Sequence, residues 1–305
     1  MISQKIFSTF RRGSRTYFYS SVFFPPDVRD DVFKLYAFVR LADDFIDQAE
    51  QDIDGFEAFV GRYREAMGGQ PTGDDVVDGF AEVARRRSFD PGWAESFFAA
   101  MRRDTTDSDY EALDDVESYM HGSAEVIGLF MARILDLPEE SYKSAQLLGR
   151  AMQYVNFLRD VDEDQGLGRT YIPRSVRAAY GFEELTPEAA SSGTVRFAAM
   201  MRGEIDRYRR WQMEAERGYA YIRPRYRIPV QTAADMYKWT ADVIERDPLV
   251  VFDRKVKPSV ARVVARLVRN AASTAAGLVL EASPLSGPRR SSSDANARLR
   301  GVQPG

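Results

Sequence analysis

The chain has 305 residues, of which 44% are hydrophobic, and a formal net charge of −4 at pH 7. This length and composition can bury a sizeable core, and we expect one large domain. The negative charge argues against a nucleic-acid-binding protein. The chain has no Cys and a single His, His121, so disulfides, thiolate metal sites and His-based metal sites are excluded, and a reducing, cytoplasmic location is expected.

The N-terminal stretch MISQKIFSTFRRGSR lacks the apolar core of a secretion signal. A membrane-spanning helix needs about 20 largely apolar residues, and no segment provides them. The closest stretch, 259–281, is interrupted by Arg262, Arg266 and Arg269. The sequence therefore predicts no membrane span.

Hydrophobic periodicity predicts helix after helix and no β-strand. The predicted helices cover 3–11, 14–23, 27–50, 54–67, 74–87, 91–103, 114–136, 139–165, 194–222, 229–246 and 257–281. The segments between them, such as GGQPTG and RPRYRIP, are rich in turn-forming residues. We expect one all-α domain over 1–283 and a polar, disordered tail over 284–305.

The predicted helix 27–50 carries a stripe of polar residues in the segment LYAFVRLADDFID. Tyr36, Arg40, Asp43 and Asp47 follow one another at helical spacing and share one face. Acids at the N-terminal end of a helix suit its dipole, but these two lie late in a long apolar segment. Neither capping nor the dipole explains them, which favours a functional role.

A second stripe lies in the segment QYVNFLRDVDEDQGLGRTYIP. If the chain is helical up to about residue 165, Gln153, Asn156, Asp160 and Asp164 share one face. Two carboxylates about 4 Å apart repel each other by roughly 4 kcal/mol at an effective dielectric near 20. A cation is therefore expected near this stripe.

Two other Asp-x-x-x-Asp pairs have an ordinary structural explanation. Asp27 and Asp31 follow two prolines, and Asp74 and Asp78 follow the turn GGQPTG. Both pairs lie in or near the first turn of a predicted helix, where acids favour the helix dipole.

Two further segments each allow two interpretations. Ser14, Arg15 and Thr16 open a predicted helix, either as a phosphate-binding N-terminus or as an ordinary N-cap. The segment YMHGSAEVIG, which begins at Tyr119, has small residues that suit either close helix packing or a pocket wall. Tyr237 and Arg254 have no distinguishing local pattern.

Taken together, five segments resemble the squalene/phytoene synthase family, and within it a prokaryotic phytoene synthase. They are GSRTYFYSSVFFP, LYAFVRLADDFID, YMHGSAEVIG, QYVNFLRDVDEDQGLGRTYIP and MYKWTADVIERDPLVVFDRKVK, and they occur in the order typical of that family. The resemblance implies the all-α isoprenoid synthase fold, in which helices surround a central cavity and two acidic motifs face each other at its mouth.

The resemblance also implies roles for individual residues. Mg²⁺, with Mn²⁺ as a substitute, would be held by Asp43, Asp47, Asn156, Asp160 and Asp164. These four aspartates and Tyr237 would be catalytic. Prenyl diphosphates would be bound by Ser14, Arg15, Thr16, Tyr36, Arg40, Tyr119, Gln153, Asn156, Arg159, Arg169, Tyr171 and Arg254.

The implied reaction joins two geranylgeranyl diphosphates head to head through a cyclopropyl diphosphate to phytoene, the first committed step of carotenoid biosynthesis. No redox cofactor is expected. The product could leave through peripheral contact with a membrane. The alternatives are a squalene or dehydrosqualene synthase acting on farnesyl diphosphate, with NADPH needed for squalene, and a non-catalytic helical assembly factor.

Residues of the 119–128 segment depart from the family pattern. Many members have an apolar residue and glycines where this chain has Ser123, Ala124 and Glu125, and an aromatic where it has His121, which we expect to be a core residue or to support the site from behind. Small residues on the expected path into the cavity favour a C20 substrate over a C15 substrate. They are Ser20, Ser21, Gly122, Ser123 and Ala124.

Overall fold

The computed structural model describes residues 2–13, 15–48, 50–106 and 109–282, without the side chains of 15–17, 22 and 278–282. Ser14 and the proposed tail 284–305 lie outside the described residues. Arg15 and Thr16 are described by their backbone alone, in a helix that begins at Arg15.

Within the described ranges the chain is almost entirely helical. The α-helices are α1 (Gln4–Gly13), α2 (Arg15–Ser20), α3 (Pro26–Ile46), α4 (Ile53–Met67), α5 (Asp75–Arg86), α6 (Pro91–Arg103), α7 (Leu113–Met120), α8 (Val126–Ile134), α9 (Tyr142–Arg159), α10 (Val161–Gly166), α11 (Arg174–Ala179), α12 (Pro187–Ser192), α13 (Thr194–Glu216), α14 (Pro224–Arg246), α15 (Val250–Asp253) and α16 (Val260–Ala282). Short 3₁₀ segments cover Ser21–Phe23, Glu139–Ser141 and Arg217–Tyr221, and a π-helical turn covers His121–Glu125. No strand forms in these ranges, and one isolated bridge pairs Asp109 with Thr170.

Phenylalanines form the centre of the core on one side of the molecule. Phe38 of α3 stacks on Phe80 of α5, with ring centroids 4.0 Å apart. Phe59 of α4 and Phe98 of α6 pack beside Phe38. All four rings are almost completely buried. Burying one such side chain stabilises a fold by about 1.5–3 kcal/mol, so this cluster fixes the position of α3.

The two acidic motifs lie where helices end, which differs from the sequence prediction. α3 ends at Ile46, and Asp47 caps it with φ −87° and ψ 29°, so the predicted extension to residue 50 is wrong. The predicted helix 139–165 is interrupted at Asp160, which has φ −99° and ψ 18° and separates α9 from α10. At each of these points an acid pairs with a cation: Asp47 with Arg169, and Asp160 with Arg159.

The 119–128 segment packs closely against its neighbours. A Cβ atom added to Gly122 would lie 2.3 Å from the backbone oxygen of Ser96 in α6. A Cβ atom on Gly149 of α9 would lie equally close to the oxygen of Ala124. These glycines therefore serve helix packing. The π-helical turn also interrupts the predicted continuous helix 114–136.

The acids that we attributed to helix N-termini have structural roles. Asp74 is the N-cap of α5 and accepts a hydrogen bond from Val76, and Asp78 lies in the first turn. Asp31, one turn into α3, is buried and pairs with Arg86 and Arg87. The sequence did not predict α11, α12 or α15, which are all six residues long or shorter.

Candidate active site

The first acidic motif occupies the last turn of α3. Arg40 pairs with Asp44, with the Nη2 and Oδ1 atoms 2.7 Å apart, so the first cation of the stripe is bound to an acid outside it. Asp43, between them in the chain, is half-buried, and its carboxylate accepts no hydrogen bond from the described residues. The position of Asp43 is fixed by α3, and among the described residues no ion pair neutralises its carboxylate.

The second acidic motif is held by cations from two directions. Arg159 donates to Asp160, with Nε 2.8 Å from Oδ1. Lys255, which follows α15, lies 3.5 Å from the same Oδ1 atom and also pairs with Glu163. Asp164 is half-buried, and its carboxylate accepts no hydrogen bond from the described part of the chain. Each motif therefore contains one acid that forms no ion pair with a described residue.

Arg169 connects the two motifs. Its Nη1 atom donates to Asp47 at 2.9 Å and its Nη2 atom donates to the backbone oxygen of Ile46 at 2.8 Å. Its own backbone N–H donates to the backbone oxygen of Asp164, also at 2.8 Å. The guanidinium is buried, with 8% of the side chain exposed. This one residue joins the end of α3 to α10.

The unpaired acids of the two motifs have strongly perturbed pKa values. Burial and the neighbouring Asp47 raise the pKa of Asp43 to about 8. Burial, Asp160 and Glu163 raise the pKa of Asp164 to about 8. A bound cation would stabilise the charged form of both carboxylates and lower their pKa values, so that their protons would be released to solvent.

The donor atoms suit a hard divalent cation that is only partly held by protein. The Oδ1 atom of Asn156, one turn before Asp160, is buried and has no hydrogen-bond partner in the described ranges. In those same ranges no three acidic or His side chains come together as a complete metal-binding group. Mg²⁺ commonly binds through one or two carboxylates plus water and substrate phosphates, so an incomplete protein shell fits this ion.

Tyrosines and a buried acid form a layer beside the motifs. Tyr119 donates to Asp104 at 2.6 Å, and Tyr171 donates to the other carboxylate oxygen at 3.0 Å. The ring of Tyr171 stacks on Phe157 of α9, with centroids 4.1 Å apart. Burial raises the pKa of Asp104 to about 6, against the effect of these hydrogen bonds. The hydroxyls of Tyr119 and Tyr171 are thus bound to Asp104.

The sequence missed Asp104 and Lys255. A signal existed for Asp104, because it caps the C-terminal end of α6, where an acid opposes the helix dipole. Lys255 stands next to the predicted Arg254, which is exposed and forms no ion pair with the described residues. The structure therefore brings Lys255, and not Arg254, to the second motif.

The remaining predicted residues lie on the helices beside the motifs. Tyr36 packs on Phe10 with ring centroids 4.4 Å apart. Burial raises the pKa of Tyr36; Arg40 lowers it, and Asp43 and Tyr237 raise it further. Tyr237 is half-buried on α14. Gln153 lies one turn before Asn156 and accepts a hydrogen bond from the side-chain amide of Asn156 at 3.2 Å.

Glu125, in the π-helical turn, belongs to a separate charge cluster that also includes residues of α7 and α9. Its carboxylate is buried and pairs with Arg150, which also pairs with Glu117 and lies over the ring of Trp211. The side chain of His121 is 48% exposed and approaches the other Glu125 oxygen at 3.1 Å. His121 is therefore not a core residue, and what it supports is Glu125.

These helices and the paired acidic motifs have the architecture of the all-α isoprenoid synthase fold. The structure is similar to that of a dehydrosqualene synthase solved with a ligand, with a TM-score of 0.76, 22% identity and coverage of 89% of this chain and 95% of that one. It is also similar to squalene synthase HpnC from Alicyclobacillus acidocaldarius, with a TM-score of 0.70, 22% identity and coverage of 79% and 92%. At this identity the likeness shows the fold.

Residues 10–263 match the family of squalene/phytoene synthases, and the chain belongs to this family. Phytoene synthase from Daucus carota is 28% identical over 79% of this chain, which spans 63% of the length of the carrot protein. The 15-cis-phytoene synthase from Synechococcus elongatus is 25% identical over 80% of this chain and 84% of its own length. The family and the fold that the sequence predicted are confirmed.

Proposed function

We propose that this protein is a Mg²⁺-dependent prenyltransferase that condenses two geranylgeranyl diphosphates head to head to phytoene. Membership of the family supports a prenyltransferase, and the curated relatives named phytoene synthase support this substrate. Dehydrosqualene or squalene synthesis from farnesyl diphosphate is the second candidate, favoured by the structural similarity to synthases of those two products.

One observation carries the proposal: each acidic motif keeps one carboxylate that forms no ion pair with a described residue. Asp43 and Asp164 have raised pKa values of about 8, while neighbouring acids are paired with Arg40, Arg159, Arg169 or Lys255. If the acids served only to stabilise the fold, we would expect all of them to be paired. Two acids that pair with no described cation, next to the buried Arg169 that joins the motifs, are instead suited to a cation that arrives with an anionic substrate.

Asp43, Asp47, Asn156, Asp160 and Asp164 would hold Mg²⁺, with substrate phosphate oxygens and water completing its shell. When bound, the metal would neutralise charge on the diphosphate as it leaves. Arg159, Arg169 and Lys255, now paired with acids, would gain a second anionic partner when a diphosphate binds. We therefore add Lys255 to the substrate-binding residues.

The chain would orient two prenyl diphosphates so that one ionises beside the double bond of the other. The carbon–oxygen bond of the first substrate breaks, diphosphate leaves, and the allylic cation adds to the second substrate, which loses a proton as the cyclopropane closes. Loss of the second diphosphate, rearrangement and loss of one more proton give a triene. Tyr36, Phe10 and Tyr237 would help to exclude water, which would otherwise capture the cation.

The test is to incubate the purified protein with Mg²⁺ and labelled C20 or C15 diphosphate, with and without NADPH, and to identify the hydrocarbon. Phytoene from the C20 substrate without NADPH supports the proposal. Dehydrosqualene, or squalene that forms only with NADPH, supports the second candidate. Absence of any hydrocarbon with either substrate would support the non-catalytic alternative.

The proposal includes one domain over 1–283, a cytoplasmic location and contact with a membrane surface when the hydrocarbon product leaves. Among the described residues, no helix is long and apolar enough to cross a bilayer. A C40 hydrocarbon is almost insoluble in water, so its transfer needs an apolar acceptor.

A further inference from the structure

The last described helix, α16, has an apolar surface on the side that faces away from the protein. Val263, Leu267 and Thr274 are buried where α16 packs against α14 and α2. The exposed apolar residues of the opposite side form what we call the outer face of α16: Ala261, Val264, Ala265, Val268, Ala272, Ala275 and Ala276. This helix is apolar on both sides, which is typical of a helix that is covered on both sides.

The outer face is continuous and well exposed. Val264 is 42% exposed and Val268 is 62% exposed. At 1.5 Å per residue the face runs for roughly 22 Å along the helix. An apolar surface of this extent on a protein commonly marks a contact with another protein or with lipid.

Positive charge borders this face. The described side chains of α16 include three arginines, Arg262, Arg266 and Arg269, and no acid, and Arg266 pairs with Asp235 of α14. Glu281 follows near the end of the helix. Arg262 and Arg269 lie one above the other along one edge of the outer face, since they are seven residues apart. Arg262 rests over the ring of Trp239, 4.5 Å from its centroid, and Arg269 is exposed. Neither forms an ion pair with a described residue.

We propose that the outer face of α16 docks on an anionic lipid surface. An interfacial helix of this kind buries an apolar face at the level of the headgroups while Lys and Arg contact lipid phosphates. A second copy of the chain is the competing occupant, but two copies would bring Arg262 and Arg269 of both chains together, and these like charges repel. Charge complementarity therefore favours anionic lipid. The inference extends the membrane contact of the proposed function and names the surface that makes it.

Vesicle binding by the whole protein tests this inference without reference to catalysis. We expect binding to phosphatidylcholine vesicles that contain phosphatidylglycerol, weaker binding at high salt, and little binding to phosphatidylcholine alone. Each arginine near such a surface contributes about a fivefold gain in partitioning, so Arg262→Gln with Arg269→Gln should weaken binding roughly 25-fold. Val264→Ser with Val268→Ser keeps the charge and should weaken binding about tenfold.

Matched controls lie on α13. Arg210→Gln removes an exposed arginine, and Val195→Ser removes a valine that is 83% exposed. Both should leave vesicle binding unchanged. Unchanged binding in both α16 variants, or an equal loss in the α13 controls, would overturn the proposal, and the thermal midpoint of each variant shows whether it is folded.

A single fluorescent label identifies the occupant, because the chain has no Cys. Val268→Cys carries a polarity-sensitive dye, and Val195→Cys is its control. A blue shift on adding anionic vesicles, at position 268 alone, supports lipid docking. A shift that follows protein concentration without lipid would assign the face to a second copy. A dye already shifted in the dilute free protein would show that the chain covers its own face. Either of the last two results overturns the proposal, whereas hydrocarbon synthesis in detergent separately tests the reaction.

Discussion

The Nη1 atom of Arg169 lies 2.9 Å from the Oδ1 atom of Asp47, so a residue that follows the second acidic motif is bound to the last acid of the first. The other terminal nitrogen of the guanidinium donates to the backbone oxygen of Ile46, where α3 ends. The guanidinium of Arg169, which we call the fork, therefore donates to a helix-terminal carbonyl and to a carboxylate at once. It determines the distance between the motifs before any ligand binds.

Arg169→Gln should destabilise the protein and weaken substrate binding, because no other described cation contacts Asp47. Loss of the buried fork should cost about 2 kcal/mol of unfolding free energy, or roughly 4–8 °C in Tm. Arg169→Lys keeps the charge but cannot donate in the same two directions, so an intermediate Tm is expected. Arg174→Gln is the control, since its ion pairs are largely exposed. Equal Tm values for the two glutamine variants would contradict this account of Arg169.

Asp164→Asn should abolish turnover without destabilising the metal-free protein. Burial, Asp160 and Glu163 raise its pKa to about 8 and no described residue pairs with it, so its replacement removes no stabilising contact. We expect kcat/KM to fall roughly 100-fold or more, equivalent to about 3 kcal/mol, and Tm in EDTA to stay equal or rise. Asp43→Asn should behave alike.

The matched control is Asp162→Asn on the same short helix, because Asp162 is exposed and contacts no described cation. It should keep most of its activity. If it lost as much activity as Asp164→Asn, the effect would reflect general charge and not a metal ligand. An Asp164→Asn variant with a clearly lower Tm would likewise contradict the assignment.

The sequence predicted the helices and the acidic stripes well, because both depend on local spacing. The burial of Phe38 and the shared face of Asp43 and Asp47 both follow from helical periodicity. The break at Asp160 could not be predicted, because it accompanies contacts of this carboxylate with the adjacent Arg159 and with Lys255, which lies in the distant segment after α15. Such long-range pairs leave no periodic signal.

The packing role of Gly122 was ambiguous for a related reason. Small residues at helical spacing suit a pocket wall and a close helix contact equally well. Only the position of the Ser96 backbone oxygen, which belongs to α6, decides between them. The contact of Lys255 with Glu163 was equally unpredictable, because it depends on the turn after α15 and on residues far apart in the chain.

Asp104 should make the stability of the protein fall as pH rises from about 4 to 7. Its pKa is 3.8 in the unfolded chain and about 6 in the folded protein, where burial disfavours the charge. The folded state therefore holds the proton more tightly, and this stabilisation is complete below pH 4 and lost as pH rises through 6. The difference corresponds to about 3 kcal/mol.

Asp104→Asn should remove this part of the pH dependence. Urea unfolding of both proteins in EDTA across pH 4–7 measures it, as the slope of the unfolding free energy against pH. Asp90→Asn, an exposed N-cap on the same helix, is the control and should change the slope little. Parallel curves for the wild type and Asp104→Asn would show that Asp104 ionises normally.

Glu125 and Arg150 should depend on each other for stability. Glu125 is buried, and Arg150 is its closest cation. Breaking a buried pair leaves one uncompensated charge and typically costs 3–5 kcal/mol, so Glu125→Gln and Arg150→Met should each lower the unfolding free energy by about that amount. The double variant should lose less than the sum. His121→Ala is the control, because its half-exposed ring should contribute under about 1 kcal/mol. Additive losses in the double variant would show that the pair is not coupled.

We expect the protein to select substrate length near Ser21, where the structure differs from the single helix that the sequence predicted over 14–23. α2 ends at Ser20, and Ser21 opens the short 3₁₀ segment that packs against α14, the helix of Tyr237. Ser21 is 2% exposed, and its hydroxyl donates to the backbone oxygen of Phe18 at 2.8 Å. A larger side chain has no room there without moving its surroundings, at a cost of typically 1–3 kcal/mol.

We therefore expect Ser21→Phe to lower Tm and to lower kcat/KM for the C20 diphosphate more than for the C15 diphosphate. A mixture of the two labelled substrates gives the ratio of the two kcat/KM values directly, and this ratio does not depend on how much of the enzyme is folded. Ser20→Phe introduces the same bulk at the neighbouring buried position, which points about 100° away around the helix. A ratio that shifts only in Ser21→Phe would place Ser21 on the path of the longer chain, whereas the same ratio in the wild type and both variants would show that this segment does not select substrate length.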